Sequence, residues 1–280
     1  MGATATLGRM GLSAVTGPGA RRRLKRALAR ADRGAATNGT TVLIYHRVGG
    51  GTVDERDVTV AEFARQLDVL SDHRVVALDA ALDELARGDD SAKVVLTFDD
   101  GFADVHGVAW PMLRDAGLPF TIYVATAYIG GTMHWDGSTA STPGPGLTWD
   151  QLGELSASPM VTIGNHTHTH ARPERLTADE LDRCTAELEQ RVGVVPRHYA
   201  YTWGVPVPGA RPLLRERFRS AATGAVARNH PGVDPFRLAR VPVRGSDPLP
   251  FFAAKLSGAL RAERTYERLV AVAKRAGAGS

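Results

Sequence analysis

The chain has 280 residues, 43% of them hydrophobic and 23% charged, with one cysteine and a formal net charge of +4. A chain of this length buries a large core within one domain, and a single cysteine excludes an internal disulfide framework. No apolar run approaches the ~20 residues that span a bilayer, so no transmembrane helix is expected.

In chain order, residues 1–40 come first, with eight Lys/Arg and one acid, a net +7 that leaves residues 41–280 three charges negative. An apolar run at 41–45 reads as a strand and leads into Tyr45-His46-Arg47. A helical pattern at 60–71 and a strand-like run at 75–78 follow. The run at 94–98 ends in Thr97-Phe98-Asp99-Asp100-Gly101. A helix is expected over 104–116, closed by Gly117 and Pro119. After a strand at 120–124 comes an irregular insertion, 130–146, containing His134, Trp135 and Asp136; long loops of this kind are often lids or binding loops. The run at 160–163 leads into His166-Thr167-His168-Thr169-His170. Thr177 and Glu180 have capping-box spacing for a helix over 178–192. Strands at 198–201 and 238–243 flank a helix at 210–218, and 263–280 reads as a C-terminal helix and frayed tail. Alternating strands and helices favour a parallel sheet covered by helices.

Two segments carry the chemistry. One carboxylate and two imidazoles can hold a divalent ion with positions open for water and substrate, while a second carboxylate takes a proton. Successive side chains on an extended segment point oppositely, so Asp99 and Asp100 can divide those tasks. On a helical turn His166 and His170 share a side; on an extended segment all three histidines share a face. Trp135 and Trp203 are candidates for stacking on a bound ring, while Trp110 and Trp149 read as core. The lone Cys184 reads as a packed thiol and points to an intracellular, cytoplasmic setting.

The two segments resemble the first two motifs of the polysaccharide deacetylase family, the NodB-homology enzymes of carbohydrate esterase family 4, and similarity extends over about 41–260. The resemblance implies an α/β fold, an irregular (β/α)7 TIM-like barrel with its site at the strand C-termini, and a catalytic domain over 41–262. It implies Asp99 as catalytic base and Asp100, His166 and His170 as ligands of a divalent metal, Zn first, with Co, Ni or Fe admitted by the same donors. The third motif departs from the family: Ala200 and Thr202 stand where Arg and Pro are usual, and Arg240 is the candidate substitute. The late Leu-x-His motif has no match. Tyr45-His46-Arg47 resembles the permuted arrangement of an exopolysaccharide-deacetylase subgroup, which makes His46 the candidate general acid. Trp135, Tyr201, Trp203 and Arg240 are the candidate substrate contacts.

The implied reaction is removal of N-acetyl groups from an acetamido sugar. Hydrolysis of another C–N bond or an O-acetyl ester, and a catalytically silent carbohydrate-binding homologue, are the alternatives. No nucleic-acid module accompanies the basic arm. It reads as a solvated or loosely helical lead-in, or as a segment docking on an anionic membrane. The start of the chain also fits loose organellar-transit and Gly2 myristoylation patterns.

Overall fold

A computed structural model describes residues 17–31, 38–135, 137–138, 143–257 and 260–275. The expectations placed on Gly2, Arg9, Asp32, Arg33 and Asp136, and on the tail beyond 275, lie outside the described residues. The chain divides into two compact units, Asn38–Gly245 and a unit drawn from both ends, Met1–Thr37 with Ser246–Ser280.

Seven parallel strands build residues 38–245: β1 (Thr40–Tyr45), β2 (Lys93–Phe98), β3 (Phe120–Val124), β4 (Val161–Asn165), β5 (His198–Ala200), β6 (Ser220–Ala222) and β7 (Val241–Pro242). They pair in the order β6-β5-β4-β3-β2-β1-β7. A parallel bridge from Ala222 to Leu238 ties β6 to the segment entering β7, so the sheet curls into a barrel-like (β/α)7 fold. β1, β2 and β3 are buried along their whole length, as strands covered on both faces must be, which is why they read as continuous apolar runs.

The helices Val60–Leu70, Leu78–Ala86, Trp149–Ser156 and Ala178–Val192 follow the alternation. Two expectations change. Residues 75–78 are not a strand: Val75 forms one isolated bridge with Val94, and Leu78 opens a helix that buries Leu78, Ala81, Leu82 and Leu85. A four-residue apolar run cannot distinguish a strand from the first turn of a helix. The helix expected over 104–116 is a π-turn, Val105–Ala109, running into Trp110–Asp115.

The unit from the chain ends contains the helices Pro18–Ala31, Leu249–Leu256 and Arg261–Arg275. Over 18–31 the arm is helical, one of the two forms expected for a lead-in. Leu24 and Leu28 pack on Phe251, Ala262 and Tyr266. The buried Lys25 ammonium donates to Ser246 Oγ and Asp247 Oδ1, both at 2.6 Å. Asp247 also accepts from Lys255, which pairs with Glu263 at 3.0 Å. Among the described residues no helix is long and apolar enough to cross a membrane.

Candidate active site

The site lies at the C-terminal ends of β1, β2 and β4. Beyond Phe98 the Asp99 amide donates to the Tyr45 carbonyl (2.9 Å), and the chain then turns through Asp100 (φ 77°) and Gly101 (φ 103°). A Cβ on Gly101 would lie 3.2 Å from Val124 Cγ1, so this turn requires glycine. Asp100 itself carries a left-handed backbone that a β-carbon disfavours. Thr167, His170 and Trp203 do so too. Four strained residues thus converge where two carboxylates and two imidazoles meet.

Residues 166–170 are neither helix nor strand. Their conformation is fixed by side chains. Asn165 Nδ2 donates to the Leu181 carbonyl (2.9 Å), while Asn165 Oδ1 accepts from Thr167 N (2.8 Å). Glu180 accepts from both the amide (2.9 Å) and the hydroxyl (2.8 Å) of Thr169. Half of the expected capping box is therefore absent: Thr177 Oγ1 accepts from Glu180 N, but the Glu180 carboxylate is spent on the histidine loop. The reciprocal box forms at Thr148 and Gln151 instead.

The loop turns His166 and His170 toward Asp100. His166 Nδ1 donates to the Ala200 carbonyl (2.9 Å), which orients the ring with Nε2 toward Asp100, the second-partner arrangement found at metal-ligating imidazoles. Asp100 Oδ1 lies 3.5 Å from His166 Nε2 and 3.4 Å from His170 Nε2. The three ligand atoms lie within 4.8 Å of one another, and all three residues are buried. Asp100 Oδ2 is buried without a hydrogen-bond partner. Two imidazole nitrogens, one carboxylate and an orphaned carboxylate oxygen fit a divalent cation. Burial acts to raise the Asp100 pKa, but His166 and His170 hold it well below the usual carboxylate value. Burial lowers that of His170 against the pull of Asp100. His168 is turned away: its Nδ1 lies 3.0 Å from Thr126 Oγ1, and its Nε2 lies 3.0 Å from Arg183 Nη2.

Asp99 faces a different partner. Arg240, fully buried, grips it with two parallel hydrogen bonds, Nη1 to Oδ1 at 2.7 Å and Nη2 to Oδ2 at 2.8 Å. The Thr223 carbonyl accepts from Arg240 Nε (3.0 Å), and Thr97 Oγ1 from Nη1 (3.2 Å). Burial would raise the Asp99 pKa, but the Arg240 charge, with His166, lowers it below the ordinary carboxylate value. His46 stands at the end of β1, its Nδ1 buried without a partner. Burial lowers its pKa, and Asp100 and Asp99 oppose that fall.

Three of the four expected substrate contacts have little or no surface to offer. Tyr201, 3% exposed, packs with Tyr199, Leu214 and Phe218 in the core. Arg240 is enclosed around Asp99. Trp135 is buried with its ring stacked on His170, centroids 4.0 Å apart, so it braces a candidate ligand. Trp203 is the most exposed of the four, at 37%, with His170 5.5 Å from its ring and the Arg172 guanidinium 5.5 Å over it. Trp110 and Trp149 are half-buried, and Cys184 is buried, its thiol pushed up to about 12 by burial. Sequence reasoning missed Asn165 and Glu180, whose polar side chains flanking the histidine run were the available signal, and the pair Asp54–Arg56 beside His46.

A profile of polysaccharide deacetylases matches residues 86–214. The structure of IcaB from Ammonifex degensii superposes with a TM-score of 0.69 at 30% sequence identity, covering 80% of this chain and 100% of IcaB. The Streptococcus pyogenes deacetylase PplD superposes with a TM-score of 0.61 at 20% identity, covering 75% of this chain and 94% of PplD. YxkH of Bacillus subtilis (strain 168) is 27% identical over 143 residues, 50% of this chain and 46% of YxkH, so that match spans about half of the relative.

Proposed function

The chain belongs to the polysaccharide deacetylase family, and from that premise we propose that residues 38–245 form a divalent-metal-dependent hydrolase that removes N-acetyl groups from an acetamido sugar. The observation that carries this reading is the buried Asp100–His166–His170 triangle beside an aspartate gripped by an arginine. Asp100, His166 and His170 would hold the ion, with Zn the best match to the donor set. A bound divalent ion polarises an acetyl carbonyl and brings the pKa of a coordinated water toward ~7.

The remaining chemistry belongs to the chain. Asp99, kept ionised and fixed in orientation by Arg240, takes the proton of the attacking water. His46, whose pKa burial lowers against the opposing pull of Asp100 and Asp99, gives a proton to the departing nitrogen when protonated. An amide nitrogen must be protonated before its C–N bond breaks, so a histidine beside the two aspartates supports amide over ester cleavage. Trp203 offers an apolar face to a sugar ring. The Arg240–Asp99 pair also speaks against a silent sugar binder, because sugar binding has no use for a buried guanidinium that orients a carboxylate. Arg240 supplies the role left open by Ala200, whose carbonyl is used on His166 instead.

Acetate release from N-acetylglucosamine mono- and oligosaccharides, with Zn or Co added and an O-acetylated sugar alongside, tests the reading. The wild-type chain should release acetate from the amide substrates. Asp99→Asn should lose turnover and keep its metal, and His166→Ala should lose both. Release from the O-acetyl ester alone would overturn N-deacetylation, and wild-type rates in Asp99→Asn would overturn the choice of base.

A further inference from the structure

One cation beside the site is left unused by this mechanism. The short strands Arg47–Val48 and Asp57–Val58 pair in parallel, Arg47 opposite Asp57, and the Arg47 amide donates to the Arg56 carbonyl (3.2 Å). One step back along this register, His46 and Arg56 are neighbours. Arg47 and Asp57 point away from the site. Arg47 Nε donates to Asp104 at 2.7 Å, and the Asp57 carboxylate accepts from Gly50 N and Thr52 N at 3.0 and 2.8 Å. The hydrogen bond from Arg47 N to the Arg56 carbonyl thus sets Arg56, in the turn closed by Asp57 N and the Asp54 carbonyl (3.0 Å), beside the segment that carries His46. In agreement, the charge of Arg56 acts on both His46 and Asp100.

The guanidinium is held rigidly and only partly satisfied. Asp54 accepts from Nε (3.1 Å) and Nη2 (2.8 Å), which fixes the plane of the group by one edge. The Asp54 amide bonds to Thr52 Oγ1, and Gly245 N donates to the Glu55 carbonyl (2.8 Å), so the loop presenting Arg56 is braced at both ends. The side chain remains 28% exposed. Its other edge, Nη1 with the second Nη2 hydrogen, has no partner among the described residues. Of the two arginines whose charge reaches His46, Arg240 is fully engaged by Asp99, Thr97 and Thr223; Arg56 is the one with donors to offer. A preoriented planar fork with one open edge matches two oxygens of a single oxyanion.

We infer that Arg56 is a substrate-recognition residue, and that the preferred acetamido sugar carries an oxyanion, a carboxylate or a phosphate, near the scissile acetamide. The inference rests on the deacetylase reading for the sugar, but Arg56's preference for an anion can be measured without turnover. Binding is measured by calorimetry to the full chain carrying Asp99→Asn, with and without Zn, using N-acetylmuramic acid, N-acetylglucosamine 6-phosphate and neutral N-acetylglucosamine. At least one charged sugar should bind ~10- to 100-fold more tightly than the neutral one, the range of a charge-assisted hydrogen-bonded pair. The two charged probes separate carboxylate from phosphate. Arg56→Met in the same background should erase that preference while leaving the neutral sugar unchanged. Arg56→Lys, which keeps the charge but not the fork, should reduce the preference several-fold and serves if the Met variant does not fold. Equal affinity for charged and neutral sugars, or a preference that survives Arg56→Met, overturns the inference. Failure of the deacetylase reading looks different: no acetate from any substrate with the wild-type chain.

Discussion

Replacing Arg240 by Met tests the electrostatic frame of the site most directly. The substitution removes a fully buried guanidinium and its two bonds to Asp99, at 2.7 and 2.8 Å, and leaves that carboxylate 4% exposed with no arginine. Removing one partner of a buried ion pair costs about 3–5 kcal/mol, because the other charge stays desolvated and uncompensated. The pH dependence gives the sign. In the wild type the Asp99 pKa is depressed, so its contribution is present above the unfolded carboxylate pKa and is lost as pH falls through the folded value. Without Arg240, burial dominates and raises that pKa, so the variant instead gains stability as pH falls and the carboxylate takes a proton. The deficit should therefore be largest at pH 7–8 and shrink toward pH 5, by about 1.4 kcal/mol for each pKa unit displaced. Urea denaturation of EDTA-treated protein, followed by tryptophan fluorescence, measures this, since Trp110, Trp135, Trp149 and Trp203 all lie in residues 38–245. Combining Arg240→Met with Asp99→Asn should cost less than the sum of the two changes, because the orphaned charge is gone. A deficit below about 1 kcal/mol, or one independent of pH, would refute the assignment of Arg240 as the group that keeps Asp99 ionised.

Three further outcomes follow from the packing. Glu180→Ala removes both bonds to Thr169 and should weaken Zn binding about 10-fold by loosening the loop that aims His166 and His170; chelator competition reads this, and an unchanged affinity would show that the loop holds its shape without Glu180. Gly164→Ala would place a Cβ 2.4 Å from the ring of Tyr123, an overpacking that should cost about 1–3 kcal/mol; a thermal melt indistinguishable from wild type would contradict that close approach. Lys25→Met breaks the buried set with Asp247 and Ser246 and should lower the hydrogen-exchange protection of the helix Pro18–Ala31; unchanged protection would mean that apolar contacts alone hold this helix.

The sequence by itself determined the ingredients. The runs that became β1 to β5 were legible because a strand buried on both faces leaves a continuous apolar signature. Asp99, Asp100, His166 and His170 stood out because their motifs lie just beyond such strands. Elements whose formation depends on neighbours were not legible: Ser220–Ala222, a strand of small residues formed by pairing with His198–Ala200, and the helix begun at Leu78. Only the tertiary structure decided how the polar side chains were shared out. It turned His168 away and His170 inward through two left-handed residues, sent Glu180 to the histidine loop rather than to its own cap, and sank Tyr201 into the core. It also brought Arg240 to Asp99 across 141 residues of chain. Hydrophobic periodicity is a local property that a short window of sequence can carry. The partner of a buried charge is set by strand register and chain crossing, and these exist only once the sheet has curled.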